Sequence, residues 1–257
     1  MGGVVTVVLR EPSGELLKMF RWTNVLPDSL TDPRLFSEDP SGWCEDFKRE
    51  WLKMRADYQA HHEAGDYECN MTPVYFPEGP AAPSEYGIVF IDLQNKAILS
   101  MQDFCCEPAT IWIPSLRLQE RAARAHELIR KGIVSRLVVR RGAAAKGALL
   151  QIPKDGDKEE AFQEVCELAE EKKGVDGHLL IEPPGFDIKR YDGIDGVMKF
   201  RAAAEERLGY SFTEEDNLAW LGWIERKFLY FHGDGAAVEE WRKRLGLSAQ
   251  QAAPAPR

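Results

Sequence analysis

The chain has 257 residues, of which 44% are hydrophobic and 29% charged. This composition excludes an intrinsically disordered protein and supplies a core of ordinary size. No run of about 18 uncharged apolar residues is present, so no transmembrane helix is expected. The net charge of −9 opposes, on average, binding to nucleic acid or to acidic membranes.

The cysteines indicate a reducing compartment. There are five, at scattered positions and with no C-x-x-C pair: Cys44, Cys69, Cys105, Cys106 and Cys166. Such a set is typical neither of a disulfide framework nor of a structural zinc site. No secretory signal is visible at the N-terminus. We therefore expect a cytoplasmic protein without a cofactor and without a bound metal.

The first third of the chain predicts a hairpin followed by a helix. The β-branched run Val4–Leu9, the turn Pro12–Gly14 and the run Leu16–Trp22 are typical of two paired strands. The proline-rich segment 27–42 predicts a loop. A helix is then expected from Ser41 to about Glu63, because apolar residues recur with a period of about 3.6: Trp43, Phe47, Trp51, Met54 and Tyr58.

The same order of elements is predicted twice more. Tyr86–Asp92 and Ala97–Phe104 read as a hairpin, and a helix follows from Pro114 to Gly132. Ile133–Val139 and Ala148–Ile152 read as a third strand pair, before a helix that Asp157 caps and Gly174 ends. Three hairpin–helix units favour an antiparallel-rich sheet with helices on one side.

The remaining chain is expected to be mostly helical. After a strand at His178–Ile181, Pro183-Pro184-Gly185 breaks the chain. Helices are then predicted at about 195–208, 214–231 and 236–245. The sequence therefore predicts an α+β fold in three parts: a sheet domain at 1–182, a helical C-terminal subdomain at 183–247 and a disordered tail at 248–257.

Positive charge is concentrated in one segment. Between Ser115 and Gly147, nine basic residues face two acidic ones, a net charge of +7. We call seven of them the basic ridge: Arg117, Arg121, Arg124, Lys131, Arg140, Arg141 and Lys146. Those on the predicted helix fall within an arc of about 80°. The ridge is interpreted as a solvated helix face, as a surface for an acidic partner or a second copy, or as a site for phosphate groups.

Catalytic signatures are scarce. No H-x-x-x-H, G-x-S-x-G or G-x-G-x-x-G pattern occurs. The best catalytic candidates are Asp92 and Asp103, at the ends of paired strands, which with Glu107 would hold a metal for phosphoryl chemistry. The alternative is that an aspartate before a tight turn serves the turn itself.

An aromatic helix near the C-terminus is the third notable feature. Trp220, Trp223 and Phe228 lie on more than one side of the predicted helix, so they are either core residues or interface residues.

These features favour a non-catalytic cytosolic protein that binds or assembles through the basic ridge and the aromatic helix. A protein partner or self-association is the expected interaction, and no membrane is expected. One alternative is a metal-dependent enzyme that acts on phosphate-containing substrates. The other is a nucleic-acid-binding accessory protein.

Overall fold

The computed structural model describes most of the chain, namely residues 4–22, 26–63, 80–84, 87–102, 110–113, 119–140, 148–151, 157–171, 176–181, 183, 185–191, 193–226 and 235–245. The chain divides into two compact units. Unit 1 comprises residues 1–23, 48–105 and 189–257, and unit 2 comprises residues 24–47 and 106–188.

The secondary structure elements are numbered in chain order. The strands are β1 (Val4–Arg10), β2 (Leu16–Trp22), β3 (Gly87–Asp92), β4 (Ala97–Gln102), β5 (Thr110–Ile113), β6 (Val134–Arg140), β7 (Ala148–Gln151), β8 (Asp176–Ile181) and β9 (Asp187–Tyr191). The helices are α1 (Leu26–Leu30), α2 (Ser41–Glu63), α3 (Gln119–Arg130), α4 (Lys158–Glu171), α5 (Gly193–Leu208), α6 (Glu214–Ile224) and α7 (Gly235–Arg244). A 3₁₀ helix, Pro33–Phe36, precedes α2.

A five-stranded sheet has the strand order β2-β1-β3-β4-β9. It is mixed, because β1 pairs antiparallel with β2 but parallel with β3, whereas β3 pairs antiparallel with β4. All six residues of β3 are buried, as is usual for a strand that lies within a sheet and is covered on both faces. The parallel register places Arg10 opposite Asp92, and this pairing brings the two side chains together at the end of β3.

The core of unit 1 joins this sheet to the C-terminal helices. Val197, Phe200, Ala204 and Leu208 recur at helical spacing on α5 and are buried, so α5 packs with one apolar stripe. They belong to one hydrophobic cluster with residues of β1, β3, β4, α6 and α7. Phe90 of β3 lies at its centre, with ring centroids 5.4 Å from Phe200 and 5.1 Å from Tyr210, both edge to face.

Unit 2 contains a second sheet, with the strand order β5-β8-β6-β7 and antiparallel pairing throughout its described ladders. Helix α3 buries Ala125, Leu128 and Ile129 completely. It ends at Gly132, which adopts a left-handed conformation (φ 71°). The N–H of Gly132 bonds to the carbonyl of Ile129 and the next N–H to that of Leu128, the arrangement of a Schellman motif.

The α+β class is confirmed, whereas the arrangement of hairpin–helix units is not, because the five-stranded sheet is mixed. The predicted domain boundary near residue 182 stays a prediction, and the chain passes between the two units at 23/24, 47/48, 105/106 and 188/189. Helices α5, α6 and α7 share a core with the N-terminal sheet. The predicted loop at 27–42 contains α1 and the 3₁₀ helix, and β9 was not predicted. The predicted tail, 248–257, lies outside the described residues.

Candidate functional site

Asp92 lies at the end of β3 and is completely buried. Its carboxylate accepts hydrogen bonds from Arg10 Nη1 at 3.0 Å and from the backbone and side-chain nitrogens of Asn95 at 2.8 and 2.9 Å. Arg10 also donates through Nη2 to the carbonyl of Leu208, in the last residue of α5. The depression beside this pair is too narrow for a water molecule. Asp92 therefore caps the turn that follows β3 and also forms a partly buried ion pair with Arg10.

The register of the β3–β4 ladder bears on the predicted partner of Asp92. Asp92 pairs with Ala97, whereas Gln102 pairs with Gly87. The described end of β4 is thus five strand residues away from Asp92, or about 17 Å. Asp103 follows Gln102 and, like Glu107, lies outside the described residues. A metal site shared by Asp92 and Asp103 stays a prediction, which this register does not favour.

The basic ridge is described only in part. Arg117, Arg141 and Lys146 lie outside the described residues, as do the side chains of Arg121, Arg124 and Arg140. Lys131 is 45% exposed and pairs with Glu127 of its own helix at 2.8 Å. An exposed pair of this kind contributes at most about 1 kcal/mol, so a partner's carboxylate is able to compete for Lys131.

Helical geometry limits how far the ridge extends along α3. At 100° per residue, position 128 falls between positions 121 and 124, and Leu128 is completely buried. The predicted arc therefore includes a core position and is not a continuous exposed face. At the described C-terminal end of α3, Arg130 and Lys131 are both exposed.

Helix α4 packs beside α3 and carries the opposite charge. The His126 ring stacks on Phe162 with centroids 4.5 Å apart, and its Nε2 contacts the Glu159 carboxylate. Six glutamates and one lysine give α4 a net charge of −5. Three of the glutamates, which we call the acidic face of α4, lie on one exposed side: Glu160, Glu164 and Glu167.

Trp220 and Trp223 belong to the core of unit 1. They are 0% and 3% exposed, and their ring centroids are 6.1 Å apart. Trp220 also donates through Nε1 to the carbonyl of Ala81 at 2.9 Å. Neither indole is available to a partner at the surface. Phe228, the third interface candidate, lies outside the described residues.

Asp216 organises the polar contacts next to these rings and is completely buried. As the third residue of α6 it forms a capping box with Thr213, whose Oγ1 accepts from the Asp216 N–H at 3.1 Å. The Asp216 carboxylate accepts from the N–H groups of Ala81 and Thr213 and from the Tyr210 hydroxyl, at 2.5, 2.9 and 3.3 Å. Both carboxylate oxygens are thus committed to neutral donors.

Arg201 of α5 is the most unusual group of unit 1, because it is a cation that is only 6% exposed. Its guanidinium carbon lies 3.9 Å from the ring centroid of Phe212, 5.4 Å from that of Trp220 and 5.9 Å from that of Trp241. Cation–π contacts of this kind are strongest where water is excluded. We call Arg201 and these three rings the arginine cage. Arg201 Nη2 donates to the side-chain oxygen of Asn217.

Burial shifts the pKa values of two groups in this region. Desolvation lowers the pKa of Arg201 to about 10, although the negative charges of Glu205 and Asp216 act to raise it. Desolvation also raises the pKa of Tyr210 above its ordinary value of 10, and the charge of Asp216 and the hydrogen bond to it act in the same direction. The site therefore holds a desolvated cation beside a tyrosine that stays protonated.

Sequence reasoning missed the arginine cage, although α5 carries a signal for it. Position 201 lies four residues after Val197 and seven before Leu208, both buried. Residues at these spacings share one helix face, so an arginine there belongs to the apolar stripe.

Comparison with protein-family models, with curated proteins and with solved structures gave no significant match. Within the described ranges, no three His, Cys, Asp or Glu side chains are grouped so as to hold a metal ion. Among the helices described, none is both long and apolar enough to cross a membrane. The function is therefore argued from the geometry of this chain.

Proposed function

We propose that the protein is a non-catalytic cytosolic binding protein that assembles with a second copy of itself through unit 2. The observation that carries this proposal is the division of charge between neighbouring helices. Exposed cations lie at the end of α3, and the acidic face of α4 lies on the helix packed beside it. A surface with both signs is complementary to itself when a two-fold axis brings α3 of each copy against α4 of the other.

The buried carboxylates of unit 1 are consistent with a protein that acts by binding. Asp92 accepts from a cation and two turn donors, and Asp216 accepts from three neutral donors. Hydrogen bonds of this number fix a carboxylate in place. Exposed acids and bases of opposite sign lie side by side on α3 and α4, and electrostatic complementarity of this kind sets the specificity and rate of association.

The test is a charge exchange followed by light scattering. Arg130→Glu with Lys131→Glu makes the end of α3 acidic, and Glu164→Lys with Glu167→Lys makes the acidic face of α4 basic. We expect wild type to have an apparent dimer mass at low salt that falls as salt screens the contact. Each double variant alone should be a monomer, and an equimolar mixture of the two should regain dimers, because one acidic surface then meets one basic surface.

The matched control is Lys53→Glu with Lys199→Glu, which changes the net charge as much as the α3 variant does. Both lysines are exposed in unit 1, so the control should dimerise like wild type. A wild-type mass that is monomeric at low salt contradicts the proposal. A mixture of the two variants that stays monomeric contradicts it as well.

A further inference from the structure

Within the described part of the chain, no carboxylate forms a hydrogen bond with Arg201 of the arginine cage. The acceptor bonded to Arg201 is the neutral side-chain oxygen of Asn217. Asp216 acts on Arg201 through its charge, but its oxygens bond to Ala81, Thr213 and Tyr210. Glu205, one turn further along α5, acts on Arg201 through its charge more strongly than Asp216 does, but its side chain is exposed to solvent. A buried cation is costly unless an ion partner and hydrogen bonds compensate it.

Two donors at the cage are left without an acceptor. Among the described residues, the buried nitrogens Arg201 Nη1 and Trp241 Nε1 have no hydrogen-bond partner. Native proteins satisfy nearly all buried polar groups, so an orphaned pair of donors needs an explanation. The two belong to one cluster, since the guanidinium faces the Trp241 ring and Trp241 is stacked parallel to Trp220.

We infer that Arg201 and Trp241 form a binding site for an oxyanion, a carboxylate or a phosphate group. A planar guanidinium presents its N–H groups in the geometry that such oxygens accept. The bound oxyanion supplies the missing ion partner and accepts from the indole N–H. Asn217 and Phe212, which contact the guanidinium, are only half-buried. This inference is independent of self-association through unit 2.

Thermal unfolding in inorganic phosphate, in acetate and in chloride at equal ionic strength tests the site. A ligand that binds only the folded state stabilises it by mass action. We expect the melting temperature of wild type to rise saturably in phosphate or in acetate, by about 5–10 °C at a hundred times Kd. The better of the two anions then identifies the ligand as a phosphate or a carboxylate. Equal melting temperatures in all three salts would overturn the inference.

Three variants locate the effect. Arg201→Lys keeps the charge but loses the planar set of donors, and Trp241→Phe keeps an aromatic ring but loses the N–H. Each should weaken the binding of the anion about tenfold or more. Arg242→Lys is the control, because the Arg242 guanidinium already pairs with Glu225, and its affinity should match that of wild type.

Wild-type affinity in both Arg201→Lys and Trp241→Phe would place the anion elsewhere and overturn the inference. If Arg201→Lys does not fold, Trp241→Phe alone decides, since Trp241 Nε1 is one of the two donors proposed to bind the anion.

Discussion

Two arginines of unit 1, the partly buried Arg10 and the buried Arg201, have opposite surroundings. Arg10 has a carboxylate partner and a carbonyl acceptor within the chain, at Asp92 and Leu208. Arg201 is surrounded by aromatic rings and bonds to a neutral amide oxygen. The first arrangement is complete as it stands, and it ties the end of α5 to the sheet. The second leaves two donors, Arg201 Nη1 and Trp241 Nε1, without an acceptor among the described residues.

The largest effect is expected from breaking the complete arrangement. Asp92→Ala leaves the Arg10 guanidinium without its carboxylate, with a side chain only 14% exposed, and should lower the free energy of unfolding by about 3–5 kcal/mol. Urea unfolding measures this loss. Asp57→Ala, at an exposed position of α2, should stay within about 0.5 kcal/mol of wild type. A loss below about 1 kcal/mol for Asp92→Ala would show that the pair does not hold the sheet to α5.

A smaller effect should follow from removing the other arginine. Arg201→Met keeps most of the side-chain length and removes a buried charge that has no bonded counterion, so the change in unfolding free energy should lie within about 1 kcal/mol. Arg10→Met leaves the buried Asp92 carboxylate without its cation. It should lower the free energy of unfolding several times more, as measured by the same urea titration. If both variants lose the same free energy of unfolding, the proposed difference between Arg10, which has an ion partner, and Arg201, which has none bonded to it, is wrong.

The smallest effect concerns stability at alkaline pH. The pKa of Arg201 is lowered to about 10, so above pH 10 the unfolded chain holds the proton more tightly, and this group adds stability as pH rises. The pKa of Tyr210 is raised above 10, so there the folded chain retains the proton and stability falls as pH rises. Above pH 10, Arg201→Met should lose stability more steeply than wild type and Tyr210→Phe less steeply. The free energy of unfolding is measured by urea titration at each pH. If it changes with pH equally in wild type and in both variants, the pKa shifts of Arg201 and Tyr210 are both contradicted.

Periodicity predicted the long elements because their patterns are local. The β-branched run of β1 and the period of Trp43, Phe47 and Trp51 in α2 can be read directly from the sequence, and the three residues of α2 are buried. The segment Asp187–Tyr191 forms β9 although it contains Asp187, Lys189 and Arg190, since the sheet and not its own pattern makes it a strand.

The candidate sites depended on pairings that the sequence does not display. Arg10 meets Asp92 because β1 and β3 are parallel neighbours, although 82 residues separate the two in the chain. Phe212 lies in the connection between α5 and α6, Trp220 lies in α6 and Trp241 lies in α7, and all three rings contact Arg201. The charge along the sequence predicted the basic ridge as one exposed arc of a helix. Leu128, which lies within that arc, is nevertheless buried.

The proposal that the arginine cage binds an oxyanion is tested most directly at the Trp241 N–H. The chain has seven tryptophans, and each gives one indole signal in a ¹H–¹⁵N spectrum, which Trp241→Phe and Trp220→Phe assign. In a titration with the better-binding anion, the Trp241 signal should move downfield and saturate as a new hydrogen bond forms. The Trp220 signal, whose N–H is already bonded to Ala81, should move much less. A Trp241 signal that moves no further than in chloride of equal ionic strength would contradict the account.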